Sequence, residues 1–206
     1  MWNKRIVVIG CITLLGIFFV VATSAVAQDT VKKSDTVNAV VLTGGHNYDE
    51  KAFPPLFQGH ENINFTLKAL GKDADLFNDI EDWPYDVMVL YNMTAEITPQ
   101  QQINFLRLLD QGVGLVALHH TMGAFPKWPE FQKIIGGVYL FDAMQMINPS
   151  IAVKKPASSY QHDVGFKVYI KDPEHHITKG LSDFTIHDEV YKDCVFQKDN
   201  HVLLTT

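Results

Sequence analysis

The sequence predicts an α/β protein built on a doubly wound, mostly parallel open sheet with helices on both faces. Three apolar runs carry this prediction: Val37–Leu42, Asp86–Tyr91 and Val113–Leu118 have few polar residues, as expected of strands buried on both faces. Helical patterns alternate with these runs, and such alternation is typical of a parallel sheet. The 206 residues, 47% of them hydrophobic and 19% charged, suit one globular domain.

Local spacing predicts the elements that follow the first strand. Ile63, Leu67 and Leu70 lie at i, i+4 and i+7, which predicts an amphipathic helix with Gly71 as its C-terminal glycine. Ala74–Phe77 is then predicted as a weak second strand. The next long apolar run forms the third strand of the sheet.

A second helix has a clear start signal. Thr98 is a suitable N-cap, Pro99 suits the first helical position, and Gln101 can close a capping box with Thr98. This helix is expected to run to about Gln111, and a shorter helix is expected over Trp128–Ile135. The pattern weakens after that point, with strands predicted near Val164–Ile170 and His201–Thr205.

The N-terminus has the pattern of a secretory signal peptide. Lys4 and Arg5 precede an apolar run, which ends in the Ala-x-Ala sequence of residues 25–27. We therefore expect residues 1–27 to be a signal peptide and residues 28–35 a linker. A retained membrane anchor is the competing interpretation, but the apolar run is short and ends in small residues. The expected location is the periplasm or the medium, without stable membrane insertion after cleavage.

The charge balance argues against a nucleic acid partner. The formal net charge is −6, so the chain lacks the positive field that binds phosphate backbones. Only Cys194 remains beyond the predicted signal peptide, which excludes an internal disulfide in the exported chain. A single buried thiol that behaves as a small hydrophobic side chain is the expected state of Cys194.

Polar residues follow three of the predicted strands. Gly45 and His46 come after the first strand, Asn92 after the third, and His119 and His120 after the fourth. Ligands of this fold class bind beyond the carboxyl ends of the parallel strands, so these residues are expected at one rim. Taken singly, each residue has a structural interpretation as a turn or a buried side chain. Their shared position favours a functional site.

The same residues allow two kinds of chemistry. Asp188 and Glu189 are adjacent carboxylates, and His46, His119, His120 and His162 supply imidazoles. Such a set suits either a divalent metal or general acid–base work near neutral pH. No ligand spacing of the HxH or HExxH type occurs, so the sequence leaves the cofactor open. A solvated acidic turn is the structural alternative for the two carboxylates.

Six motifs occur in order along the chain. They are Thr43-Gly44-Gly45-His46, the run Gly114–His120, Trp128-Pro129-Glu130-Phe131 with Gly136-Gly137, Tyr160-Gln161-His162-Asp163, the run His175–Leu181, and His187-Asp188-Glu189-Val190-Tyr191. Together they resemble the ThuA-like (trehalose-utilisation) domain family of the class I glutamine amidotransferase-like superfamily. This resemblance implies a flavodoxin-like fold and a role in carbohydrate metabolism.

The sequence departs from the superfamily at its catalytic thiol. Glutamine amidotransferases of that superfamily place a Cys nucleophile after the strand that here is followed by His119 and His120. We therefore expect no glutaminase activity. The chain ends at Thr206, just after a predicted strand, where the family usually continues through further strands. We expect the ThuA-like domain over 36–206 to be C-terminally incomplete.

These observations predict an exported protein that acts on a sugar or an oxidised sugar derivative, such as a trehalose-like disaccharide or a glycoside. A non-catalytic sugar-binding or accessory module is the alternative. The chemistry is expected to be proton transfer beside a sugar carbonyl or a metal-assisted hydrolysis. The candidate catalytic residues are His119, Glu189 and Asp188, and the candidate substrate-binding residues are His46, Gly45, Asn92, His120, His162 and Tyr191.

Overall fold

A computed structural model describes residues 36–142, 144–148, 151–154 and 156–206. The predicted signal peptide and linker lie outside these ranges. In the described ranges, no helix is both long and apolar enough to cross a bilayer.

The main sheet has four parallel strands in the order β2-β1-β3-β4. These strands are β1 (Val37–Gly44), β2 (Ile63–Ala69), β3 (Val87–Asn92) and β4 (Gly114–Ala117). The central pair is in register from Ala39 opposite Val87 to Gly44 opposite Asn92, so their carboxyl ends lie side by side. This strand order is that of flavodoxin-like proteins, and the predicted fold class is confirmed.

Two α-helices follow the predicted boundaries closely. The first, α1, spans Pro99–Asp110 and has the predicted capping box. The backbone N–H of Thr98 donates to Gln101 Oε1 at 2.7 Å, and the backbone N–H of Gln101 donates to Thr98 Oγ1 at 3.3 Å. The second, α2, spans Pro129–Ile134. The reciprocal cap satisfies two backbone donors that a helix start otherwise leaves unpaired.

The two faces of β1 bury different sets of side chains. Val40 and Leu42 join a cluster with Phe105 of α1 and Phe131 of α2. Val41 points to the opposite face, where its cluster includes Phe53, Val89 and the partly buried Phe57. Phe57 ends a short 3₁₀ helix, Pro54–Phe57, that covers this second face. Each fully buried side chain of this size contributes about 1.5–3 kcal/mol, so both faces stabilise the sheet.

Two predicted elements between β1 and β3 were wrong. The predicted helix over 63–70 is the parallel strand β2, in register with β1. Its sequence alternates apolar and polar residues from Ile63 to Ala69, the period of a strand. Positions i and i+4 share a face in a strand as well as in a helix, so Ile63 and Leu67 fit both patterns. The predicted strand Ala74–Phe77 is a 3₁₀ helix over Asp75–Phe77, which follows Ala74 in a left-handed conformation.

The later part of the chain forms smaller antiparallel sheets. Strand β8 (Ser159–Ile170) pairs with β9 (Phe184–Lys192) and with β11 (Leu204–Thr205). The other strands are β5 (Gly137–Val138), paired with β10 (Val195–Phe196), and β6 (Met144–Asn148), paired with β7 (Ile151–Lys154). The predicted strand over 164–170 lies within β8, and the one over 201–205 is shortened to β11.

Candidate active site

A cavity of about 340 Å³ lies beyond the carboxyl ends of the parallel strands. Half of its lining consists of residues that the sequence singled out as candidates. They are His46, His119, His120, His162, Glu189 and Tyr191. The strand-end histidines therefore share one cavity with Glu189 and Tyr191 of the late motif, although more than 140 positions separate the first and last of these residues in the sequence.

His46 enters the cavity from a tight turn after β1. Gly45 has a φ of +73°, and a Cβ there would lie 2.5 Å from the backbone carbon of Met93. Only glycine fits this close approach, because any side chain would collide with the segment after β3. His46 Nδ1 lies 2.6 Å from the Asn47 carbonyl oxygen, which can only accept, so Nδ1 carries the hydrogen. His46 Nε2 is left for other partners.

His119 and Glu189 form a short polar contact in the cavity. His119 begins a 3₁₀ helix, His119–Gly123, directly after β4, and its φ of +51° is rare for a residue with a side chain. Glu189 lies on β9, and its Oε2 is 2.9 Å from His119 Nε2. The Glu189 side chain is only 13% exposed, so the contact is shielded from most of the solvent.

Tyr191 completes a triangle of hydrogen-bonding groups. Its hydroxyl donates to Glu189 Oε2 at 2.9 Å and lies 3.1 Å from His119 Nε2. Tyr191 and Glu189 are two positions apart on β9, so they project from the same face of the strand. Burial and the adjacent Glu189 carboxylate raise the pKa of Tyr191 far above its ordinary value, so the phenol keeps its proton.

The hydrogens of this triangle follow from its geometry. Glu189 Oε2 accepts the hydrogen bond of the Tyr191 hydroxyl, and a bare imidazole nitrogen 2.9 Å from a carboxylate oxygen would be repelled. His119 Nε2 therefore carries a hydrogen that points at Glu189. His119 Nδ1 is then the nitrogen that can accept a further proton, and the Glu189 carboxylate stabilises the imidazolium that forms.

His162 reaches the second oxygen of the same carboxylate. Its Nδ1 lies 3.5 Å from Glu189 Oε1 across the β8–β9 pair. The pairing register shifts between Gln161 and Val164, and Asp163 has a φ of +57°, which marks a bulge beside His162. Bulges redirect side chains next to functional sites. The His162 side chain is 68% exposed, so a ligand can replace it at Oε1.

His120 is the buried histidine of the cavity. It is 6% exposed, and its ring stacks on that of His46 with centroids 4.3 Å apart. His120 Nε2 lies 3.3 Å from the Tyr91 carbonyl oxygen and must carry the hydrogen, while Nδ1 has no hydrogen-bond partner in the structure. Burial, followed by the neighbouring His46 and His119, lowers the pKa of His120 to about 4. The ring is therefore neutral at pH 7.

Three further candidates lie outside the cavity lining. Gly45 packs against the backbone after β3, as described above. Asn92 is fully buried at the end of β3, and neither polar atom of its side chain has a hydrogen-bond partner. Asp188 is exposed, and its Oδ1 accepts a hydrogen bond from the Glu189 backbone N–H at 2.7 Å. Their functional roles stay predictions.

Six lining residues were not singled out as site candidates from the sequence. They are Met93, Met122, Gly123, Tyr139, Phe141 and Tyr160. The sequence did contain a signal for Tyr160, which lies two positions from His162, just as Tyr191 lies two positions from Glu189. In the structure, Tyr160 pairs directly opposite Tyr191 across β8 and β9. Tyr139 and Phe141 carry no comparable local pattern.

No group of three or more His, Cys, Asp or Glu residues in the described part of the chain is placed to hold a metal ion. The arrangement that the structure does show is an acid–base cluster: one carboxylate, one imidazole with a fixed hydrogen, and one protonated phenol. An apolar and aromatic wall surrounds this cluster.

The strand order and the position of the cavity define a flavodoxin-like α/β protein with a ligand site at the strand carboxyl ends. The ThuA family, described as "Trehalose utilisation", matches residues 25–206, and the chain belongs to this family. Its membership links the protein in general terms to carbohydrate utilisation.

One solved structure shows the same fold. The crystal structure of a ThuA-like protein from Parabacteroides merdae superposes with a TM-score of 0.60 at 21% sequence identity. The match covers 82% of this chain and 67% of that protein. No curated protein matches the sequence.

Proposed function

We propose that this protein is an exported enzyme that acts on a sugar or an oxidised sugar derivative, such as a trehalose-like disaccharide or a glycoside. The observation that carries the proposal is the triangle of His119, Glu189 and Tyr191, whose polar atoms lie within 3.1 Å of one another inside the cavity. Family membership supports the sugar as the substrate class.

The chemistry that fits these contacts best is proton transfer beside a sugar carbonyl. His119 Nδ1 accepts the proton from the substrate, and Glu189 stabilises the positive charge that then spreads over the imidazole. Tyr191 holds the carboxylate in place through its hydroxyl. The electron pair left on the substrate moves to the carbonyl oxygen, which becomes an enolate oxygen.

The size and lining of the cavity support a small sugar. A volume of about 340 Å³ lies at the lower end of the range for small-molecule sites, roughly 300–1,000 Å³. Tyr139, Phe141 and Tyr160 supply aromatic faces, which pack on the C–H faces of sugar rings. The neutral His120 adds no positive charge to the cavity at pH 7.

Product formation tests the proposal. The purified protein is incubated with mono- and disaccharides and with their keto derivatives, and products are followed by chromatography. We expect turnover of a sugar that is lost in His119→Ala and kept in His60→Gln, an exposed histidine outside the cavity. Ligand binding without turnover would support the non-catalytic module instead. Turnover lost on chelation and restored by one divalent cation would support metal-assisted hydrolysis.

We also propose that the protein is cleaved after Ala27 and released beyond the cytoplasmic membrane. The basic start and the Ala-x-Ala end of residues 1–27 support this proposal. N-terminal sequencing of the exported protein should find Gln28 first. A mature protein that begins at Met1 and fractionates with membranes would contradict it.

A further inference from the structure

We infer that Phe141 and Tyr160 form a platform at the mouth of the cavity that binds the second ring of a two-ring glycoside. The inference rests on the proposed function and deepens it. In this role the two residues favour binding of a glycoside that carries a second ring over binding of a free monosaccharide.

Both platform residues are aromatic and exposed at the cavity. Phe141 is 46% exposed and Tyr160 is 59% exposed, yet both line the same cavity as Glu189, whose side chain is 13% exposed. Exposed aromatic rings and the shielded Glu189 carboxylate therefore line the same cavity. A ligand that reaches Glu189 has part of its length beside these two rings.

The first side of the platform is a line of ring contacts that leads from the mouth to the acid–base cluster. Phe141 contacts Tyr139, with ring centroids 5.1 Å apart, and Tyr139 contacts Tyr191 edge to face at 5.8 Å. The Tyr139 hydroxyl donates to the Ser158 carbonyl oxygen at 3.0 Å, which fixes the middle ring. Tyr191 then reaches Glu189 through its own hydroxyl.

The second side lies on β8 and leads to the same carboxylate. Tyr160 contacts His162 with ring centroids 5.2 Å apart, and His162 Nδ1 lies 3.5 Å from Glu189 Oε1. Both sides start with an exposed aromatic ring and end on the same carboxylate. The reacting sugar lies beside Glu189, and the next ring along the ligand lies beside Phe141 and Tyr160.

A pyranose ring is the occupant that this geometry favours. Its C–H faces are apolar and pack on aromatic rings, while its hydroxyls at the edge stay in water at an exposed mouth. The cavity volume of about 340 Å³ is small for a site that would enclose a two-ring ligand, so the second ring extends to the open end.

Binding of three matched probes tests the platform: glucose, methyl α-glucopyranoside and trehalose. The last two both carry a substituted anomeric oxygen, and only trehalose adds a second ring. Dissociation constants are measured by titration calorimetry for the wild type and for Phe141→Ala, Tyr160→Ala and Tyr160→Phe. Tyr169→Ala is the control, since Tyr169 is an exposed tyrosine on the same strand, β8, outside the cavity lining.

We expect the wild type to bind trehalose more tightly than methyl α-glucopyranoside. Each alanine variant should weaken trehalose binding about three- to tenfold and leave the two one-ring probes within twofold. Tyr160→Phe and Tyr169→Ala should keep wild-type values, because stacking needs the ring and not the hydroxyl.

Equal binding of trehalose and methyl α-glucopyranoside by the wild type would overturn the platform and leave the proposed function standing. Alanine variants that lose affinity equally for all three probes would also overturn the platform. If the wild type binds none of the probes, the platform is overturned, and the product assay with keto derivatives decides separately whether the site takes an oxidised sugar.

Discussion

The buried histidine of the cavity should make the fold sensitive to acid. His120 is 6% exposed and its pKa is lowered to about 4, whereas an unfolded chain has a histidine pKa of about 6.5. Below pH 6.5 the unfolded state therefore binds a proton that the folded state excludes, so stability falls as the pH drops from 6.5 towards 4. At pH 4.5 this difference amounts to about 2–3 kcal/mol of unfolding free energy, a large part of the typical total.

Urea denaturation at pH 7.5 and pH 4.5 measures this effect. His120→Gln removes the titrating ring and keeps a side-chain N–H for the Tyr91 carbonyl oxygen. We expect the unfolding free energy of the wild type to fall by about 2–3 kcal/mol more than that of His120→Gln between the two pH values. His60→Gln, at an exposed position, is the control and should behave as the wild type does. Parallel losses in the wild type and His120→Gln would refute the reasoning.

Three further outcomes are expected. Tyr191→Phe removes a hydrogen bond to a carboxylate, so kcat should fall about tenfold or more with little change in melting temperature. The protein should release no ammonia from glutamine in a coupled assay, with or without Cys194→Ala, because burial raises the pKa of that thiol. Gly45→Ala should lower the unfolding free energy by more than about 2 kcal/mol, as a Cβ would lie 2.5 Å from the Met93 backbone. Gly59 also has a positive φ, but a Cβ added there meets open space, so Gly59→Ala should lower the unfolding free energy clearly less in the same denaturation experiment.

Local signals explain which parts of the fold could be predicted. The capping box at Thr98 and the apolar run of β1 are determined by neighbouring residues, and both appear where they were predicted. The segment 63–70 was assigned to the wrong element because Ile63 and Leu67 satisfy both periods, and pairing with β1 decides between them. Tertiary pairing of this kind cannot be read from a short window.

The candidate site likewise contains residues that the sequence could predict and residues that it could not. His46 and His119 could be anticipated because fold class alone places strand ends at one rim. Tyr139 lines the cavity because β9 returns to place Tyr191 beside it, a contact between residues more than 50 positions apart. The bulge that accompanies His162 likewise depends on the pairing of β8 with β9. Such long-range contacts leave no spacing pattern in the sequence.

The turnover of Glu189→Gln tests the central claim most directly. The substitution keeps the size of the side chain and removes the charge that faces His119 Nε2 at 2.9 Å. We expect kcat for the sugar substrate to fall about 10²–10⁴-fold, with a melting temperature close to that of the wild type. Glu174→Gln, outside the cavity lining, is the matched control and should keep full activity. A Glu189→Gln protein that retains the wild-type kcat, or that loses activity only in proportion to unfolding, would contradict the account.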